Sequence, residues 1–141
     1  MKSIRANKEI TVLIPVYNAE EIVNELIKYL VLAIKKITKK YEIILIDDGS
    51  MDNSWLKIVE NGRTNPNVKG IKLSKNFGQA YAISAGLKEC IGDCAVVMDC
   101  DLQDRPEEII NLYSEAIKGY DIVMARRKRR KDKFLKRLTS K

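Results

Sequence analysis

Residues 99–103 read Asp-Cys-Asp-Leu-Gln. Two carboxylates and an amide oxygen, each two residues apart, form the oxygen set that suits Mg²⁺ or Mn²⁺. A divalent ion would relieve the repulsion between Asp99 and Asp101 and could bridge to a diphosphate. The competing reading of Asp99, Asp101 and Gln103 is a solvated loop leading into a helix capped by Asp104. A second acidic pair opens Asp47-Asp48-Gly49-Ser50. One of its carboxylates could bond a ribose or a base edge while the other braces the turn, or both simply make a tight turn. Lys75 and Asn76 precede a helix whose N-terminal N–H groups start near Gly78, a setting that favours anions. An ordinary surface cation is the alternative for Lys75.

Other chemistries lack their residues. The chain contains no His, which excludes a Ser-His-Asp triad, an imidazole zinc site and histidine acid–base catalysis. No GxGxxG follows the first strand and no GxxxxGK[ST] occurs, so a dinucleotide-dependent oxidoreductase and a P-loop NTPase lose their main support. Cys90, Cys94 and Cys100 are odd in number and are expected to be reduced thiols in a cytosolic protein.

These polar groups need elements to hold them. Glu9–Val16 reads as a β-branched strand, Ala19–Ile37 has apolar residues at helical spacing, and Tyr41–Ile46 is a near-continuous apolar strand. Asp52–Asn61 predicts a short helix, Val68–Leu73 a third strand, Gly78–Glu89 an Ala-rich helix and Cys94–Met98 a fourth strand. A helix starting with Asp104 as cap runs to about Lys118, and Tyr120–Ala125 predicts a fifth strand. Alternating strands and helices with short connections imply an α/β fold with a parallel sheet. Ligands of such sheets bind outside the carboxyl ends of the strands. Pro15-Val16-Tyr17-Asn18, the Asp47 turn, Ser74–Gly78, Asp99–Asp104 and Arg126-Arg127 all fall at such ends.

The 141 residues carry a net charge of +7, a figure that suggests nucleic acid until it is divided. Residues 126–141 hold ten basic side chains and one acid, a net +9, leaving 16 basic and 18 acidic side chains, a net −2, in residues 1–125. The expected division is a donor-binding α/β body over 1–125 and a basic segment over 126–141. Phe134, Leu135 and Leu138 could give that segment an apolar helix face, and its charge suits an anionic membrane surface. A basic-tailed nucleic-acid-binding module is the competing class, but no reader motif accompanies the charge.

Five stretches together resemble family 2 inverting glycosyltransferases of the GT-A fold: VLIPVYNAEE (12–21), EIILIDDGSMDNS (42–54), LSKNFGQAYAISAGL (73–87), VVMDCDLQDRPEEI (96–109) and YDIVMARRKRRKD (120–132). Within that family, the LSxNFGQ block and the DxDLQxxPE form resemble the polyprenyl-phosphate glycosyltransferases, the dolichyl-phosphate mannose synthase and bactoprenol glucosyltransferase group. The resemblance implies a Rossmann-like nucleotide-diphospho-sugar transferase fold with a mainly parallel sheet, C-terminally incomplete at Lys141. It implies transfer of a hexose from a UDP- or GDP-sugar to a polyprenyl phosphate at the cytoplasmic face of a membrane; an inactive, truncated relative is the alternative. By position, Pro15, Tyr17, Asp47 and Asp48 match residues around the nucleotide, and Glu20, Lys75, Asn76 and Asp99 are expected at the same nucleotide-sugar site. Asp99, Asp101 and Gln103 match the metal site, and Arg127 matches an Arg that contacts the donor's phosphates. The family often has Glu where this chain has Ala19, and Glu20 follows here instead.

Overall fold

A computed structural model describes residues 8–125. Its elements alternate as β1 (Lys8–Val16), α1 (Val23–Ile34), β2 (Tyr41–Asp47), α2 (Ser54–Thr64), β3 (Val68–Lys72), α3 (Gln79–Glu89), β4 (Gly92–Val97) and α4 (Glu108–Ala116). The four strands form one sheet in the order β3-β2-β1-β4, and every pairing is parallel. β2 is buried along its whole length, as a central strand covered on both faces must be.

The two faces are filled differently. Ile10, Val12, Ile14 and Val16 of β1 pack with Val23, Leu26, Leu30 and Ile34 of α1, Ile58 of α2 and Ile109 of α4. On the other face Leu13, Ile44 and Ile46 meet Ala82 of α3. Gly86 brings α3 close to the sheet, since a Cβ there would lie 2.8 Å from the Ile46 side chain. Each fully buried Leu, Ile or Val contributes about 1.5–3 kcal/mol, so the β1–β2–α1 layer dominates cohesion. Right-handed crossovers explain the split. The chain steps from β1 to β2 to β3 over one face, then reverses past β1 to β4 and must cross on the other. That reversal makes the gap between β1 and β4 the topological switch point.

One expected element does not form. Tyr120–Ala125 has strand-type residues but is not a strand, and Ile122 and Met124 are 80% and 86% exposed. A strand requires a neighbour for its N–H and C=O groups. Among the described residues nothing pairs with the outer edge of β4, and residues 120–125 line a groove beside it. Two helices are also shorter than their apolar spacing suggests. α1 begins at Val23, after a turn in which the Ile22 and Val23 N–H groups donate to the Ala19 carbonyl. α4 begins at Glu108, after a tight turn in which the Glu108 N–H donates to the Arg105 carbonyl. Among the described residues no helix is long and apolar enough to cross a membrane. Residues 126–141, with the expected basic segment, lie outside the described residues.

Candidate functional site

At the switch point the strand ends open into a cleft of about 350 Å³ lined by Pro15, Val16, Tyr17, Asp48, Asn76, Gly78, Gln79, Asp99, Cys100 and Asp101. That volume is within the range of small-molecule sites. Of the residues singled out in the sequence, Pro15, Tyr17, Asp48, Asn76, Asp99 and Asp101 share this cleft. Glu20, Asp47, Lys75 and Gln103 are not among its lining residues, and Arg127 lies outside the described residues.

The β1 and β2 loops are fastened to each other. Asn18 adopts φ +48°, a conformation its short amide tolerates. Its N–H donates to Ser50 Oγ at 3.0 Å, and its Oδ1 accepts the Met51 N–H at 2.8 Å. The Ala19 N–H donates to Ser54 Oγ and the Glu20 N–H to Asp52 Oδ2. Glu20 Oε2 in turn accepts the Asn53 N–H at 2.8 Å. The Glu20 carboxylate thus holds the start of α2, a bracing role that the sequence alone did not disclose.

Asp48 accepts the Phe77 N–H at 2.8 Å through Oδ1 and the Gly78 N–H at 2.9 Å through Oδ2. This carboxylate therefore fixes the β3–α3 loop while facing the cleft. Asp47 is fully buried; its Oδ1 accepts the Ser50 N–H, and its Oδ2 has no hydrogen-bond partner among the described residues. Lys75 turns its ammonium over the Phe77 ring, 5.2 Å from the centroid. Gly49 closes the arrangement: with φ +73°, a Cβ would lie 2.5 Å from the backbone of both Lys75 and Asn76. Gly49→Ala is expected to cost about 1–3 kcal/mol and to displace Asn76 from the cleft. Urea denaturation and ligand calorimetry on the variant check both effects.

After β4 the chain turns sharply. Leu102 takes φ +56°, unusual for a branched side chain, and packs against the main core. The Gln103 N–H donates to Asp101 Oδ1 at 3.0 Å, and Gln103 lines the neighbouring groove rather than the cleft. Cys100 does line the cleft, but burial, reinforced by the Asp101 charge, pushes its thiol up to about 11. It stays protonated at neutral pH, and all three cysteines are free. Gln79, which sequence reasoning passed over, donates its side-chain amide to Asp99 Oδ1 at 2.5 Å. The signal available was its place as the last residue of the LSxNFGQ block, directly after Gly78 at a helix start.

Among the described residues no three acidic or thiol side chains cluster around one point. Three carboxylates line the cleft; both Asp48 oxygens are held by backbone N–H groups, which makes Asp99 and Asp101 the candidates for holding a cation. Each has one oxygen engaged by a protein N–H, which leaves the other for a metal. Two oxygen ligands fit Mg²⁺ or Mn²⁺, ions that keep several waters and take further ligands from substrate phosphates.

Residues 11–141 match the family described as glycosyl transferase family 2. S. aureus TarS 1-349 is similar at 29% identity with a TM-score of 0.63, over 78% of this chain and 32% of that one; it has also been solved with UDP-GlcNAc. The mannosyltransferase PcManGT from Pyrobaculum calidifontis, in complex with GDP-Man and Mn²⁺, has a TM-score of 0.60 at 22% identity, over 67% of this chain and 28% of that one. Glucosyl-3-phosphoglycerate synthase from Mycobacterium tuberculosis, with Mn²⁺, UDP and glucosyl-3-phosphoglycerate, has a TM-score of 0.64 at 20% identity, over 82% of this chain and 42% of that one. The chain thus spans less than half the length of each of these proteins.

Proposed function

The chain belongs to glycosyl transferase family 2, and on that premise we propose that it moves a hexose from a UDP- or GDP-sugar to a polyprenyl phosphate, with inversion at the anomeric carbon. The observation that carries the reading is the meeting of Asp99 and Asp101 with Pro15, Tyr17, Asp48 and Asn76 in one cleft at the switch point. Tyr17 offers a half-exposed ring for a base. Asn76 supplies an amide toward the ribose or sugar. Asp99 and Asp101 would hold Mg²⁺ or Mn²⁺, which when bound neutralises charge on the departing nucleoside diphosphate. Structures of the similar TarS with UDP-GlcNAc and of PcManGT with GDP-Man and Mn²⁺ support this choice of ligands.

A lipid phosphate is already anionic at pH 7, so it needs positioning more than a strong base, and the absence of His is no obstacle. The DxDLQxxPE and LSxNFGQ stretches support the polyprenyl-phosphate acceptor. The +9 charge of residues 126–141 supports a membrane surface, at roughly 1 kcal/mol per basic residue near anionic lipid. Arg127 would add a cation beside the diphosphate.

Calorimetry of the chain with UDP-glucose and GDP-mannose, with and without MnCl₂, tests the donor half. Binding of one of them only when metal is present is expected, and metal-independent binding or none would sink the reading. Sugar transfer to a polyprenyl phosphate in anionic vesicles tests the acceptor. Metal-linked binding without transfer would confine the chain to donor binding.

A further inference from the structure

Gln79 begins α3, and the backbone fixes it from both sides. Before it, Gly78 takes φ +96°, and the Phe77 and Gly78 N–H groups are held by the two oxygens of Asp48. After it, the Tyr81 and Ala82 N–H groups return to the Gly78 carbonyl. From this anchored position the side-chain amide crosses the switch point and donates to Asp99 Oδ1 at 2.5 Å. An ionised Asp99 only accepts, so it is the amide nitrogen of Gln79 that must face it. Asp101 is oriented differently, by a backbone N–H of its own loop. The two carboxylates that follow β4 are thus set by separate means, and the donor that orients Asp99 comes from another element.

We propose that Gln79 is a positioning residue for the divalent-cation site: it occupies Oδ1 of Asp99 and thereby presents Oδ2 to the metal. The inference rests on the metal-dependent reading above. Three features make Gln suited to this task. An unrestrained carboxylate must give up rotamer freedom when it binds a cation, and a fixed hydrogen-bond donor removes part of that cost beforehand. The amide is neutral, so it orients Asp99 without cancelling the charge that attracts the ion. A Lys or Arg with the same reach would place a cation next to the metal. Its location at the first turn of a helix whose N-terminus is pinned by Asp48 keeps the donor in place without help from substrate.

The test is Mn²⁺ titration of the whole chain followed by electron paramagnetic resonance, with no nucleotide present. Gln79→Met keeps the length of the side chain and removes the donor. Mn²⁺ affinity is expected to fall about tenfold, in the range found for outer-shell partners of metal ligands, with the unfolding temperature in EDTA unchanged. Gln79→Ala, a better helix former, repeats the measurement if the Met variant fails to fold. Wild-type chain that binds Mn²⁺ no more tightly than either variant would overturn the role of Gln79 while leaving the metal site intact. Wild-type chain that fails to bind Mn²⁺ would overturn both. A loss of stability in EDTA as large as that in Mn²⁺-loaded samples would assign Gln79 to helix structure instead and overturn the proposal.

Discussion

Asp101→Asn is expected to lower metal-linked affinity for the sugar nucleotide by about 100-fold or more. Of the carboxylates lining the cleft, Asp48 is held by two backbone N–H groups, so Asp99 and Asp101 are the pair open to a cation, and among the described residues no group of three acidic side chains forms a site. Removing one leaves a single charged ligand against an ion that is reluctant to shed water. A metal contact of this type is worth several kcal/mol, and each 1.4 kcal/mol is about tenfold in binding. Asn is the informative replacement because its Oδ1 still accepts the Gln103 N–H, as Asp101 does at 3.0 Å. The turn that places Leu102 at φ +56° therefore survives. Stability in EDTA should stay within about 0.5 kcal/mol of wild type, as for other surface changes. Calorimetry with and without MnCl₂ reads the effect, and an unchanged metal-linked affinity would remove Asp101 from the site. Asp48 offers no such clean test, because both of its oxygens hold the Phe77 and Gly78 N–H groups and its loss would deform the loop.

What could be read from the residues and what could not divides along a physical line. β2 was legible because its YEIILI run is buried on both faces and has no other use, whereas β3 and β4 are only partly buried and follow from the alternation of strands with helices. The carboxyl-end rule then placed Pro15, Tyr17, Asp48, Asn76, Asp99 and Asp101 in one region, and the cleft holds all six. Tyr120–Ala125 has equally good strand residues, but a strand is a property of two segments, and its edge partner cannot be seen in its own sequence. Local patterns were likewise silent on contacts between loops. Nothing near Glu20 indicates that it will meet the Asn53 N–H. Nothing near Gln79 indicates Asp99, twenty residues away. Gln103 was grouped with Asp99 and Asp101 by spacing and by resemblance, and the reversal at Leu102 places it along the neighbouring groove. In β2, Glu42 is the one charged residue of the YEIILI run, and its partners come from three other segments.

Glu42→Gln is expected to cost about 2–3 kcal/mol of stability at pH 7, a figure set by hydrogen bonds to a buried charged group. Glu42 is fully buried. Its carboxylate accepts Thr11 Oγ1 at 2.6 Å, Lys69 Nζ at 2.7 Å and the Ile91 N–H at 2.9 Å. Thr11 Oγ1 in turn accepts the Gly92 N–H at 2.9 Å, so one carboxylate joins β1, β2, β3 and the start of β4. The Lys69 side chain is 48% exposed, and its ion pair is screened by water and worth little alone. The greater part comes from the charge on the carboxylate, which strengthens every hydrogen bond it accepts in the sheet. Gln keeps an oxygen for the Thr11 hydroxyl and the Ile91 N–H, but it loses that charge and turns its amide nitrogen, a donor, toward the Lys69 ammonium. Burial by itself would raise the Glu42 carboxyl, but hydrogen bonds from Lys69, Thr11 and the Ile91 N–H outweigh it and hold it below its ordinary value of 4.5. A carboxyl lowered in the folded state stabilises fully above its unfolded value, and that stabilisation disappears as pH falls through the folded one. The gap between wild type and Glu42→Gln should therefore be widest near neutral pH and shrink below about pH 4.5. Urea melts of both proteins at pH 7, 5, 4 and 3 check the sign, and a gap that grows on acidification would refute it. Because β4 starts at this network and leads into the loop of Asp99 and Asp101, the variant at pH 7 should also loosen the cleft from the opposite end of the sheet.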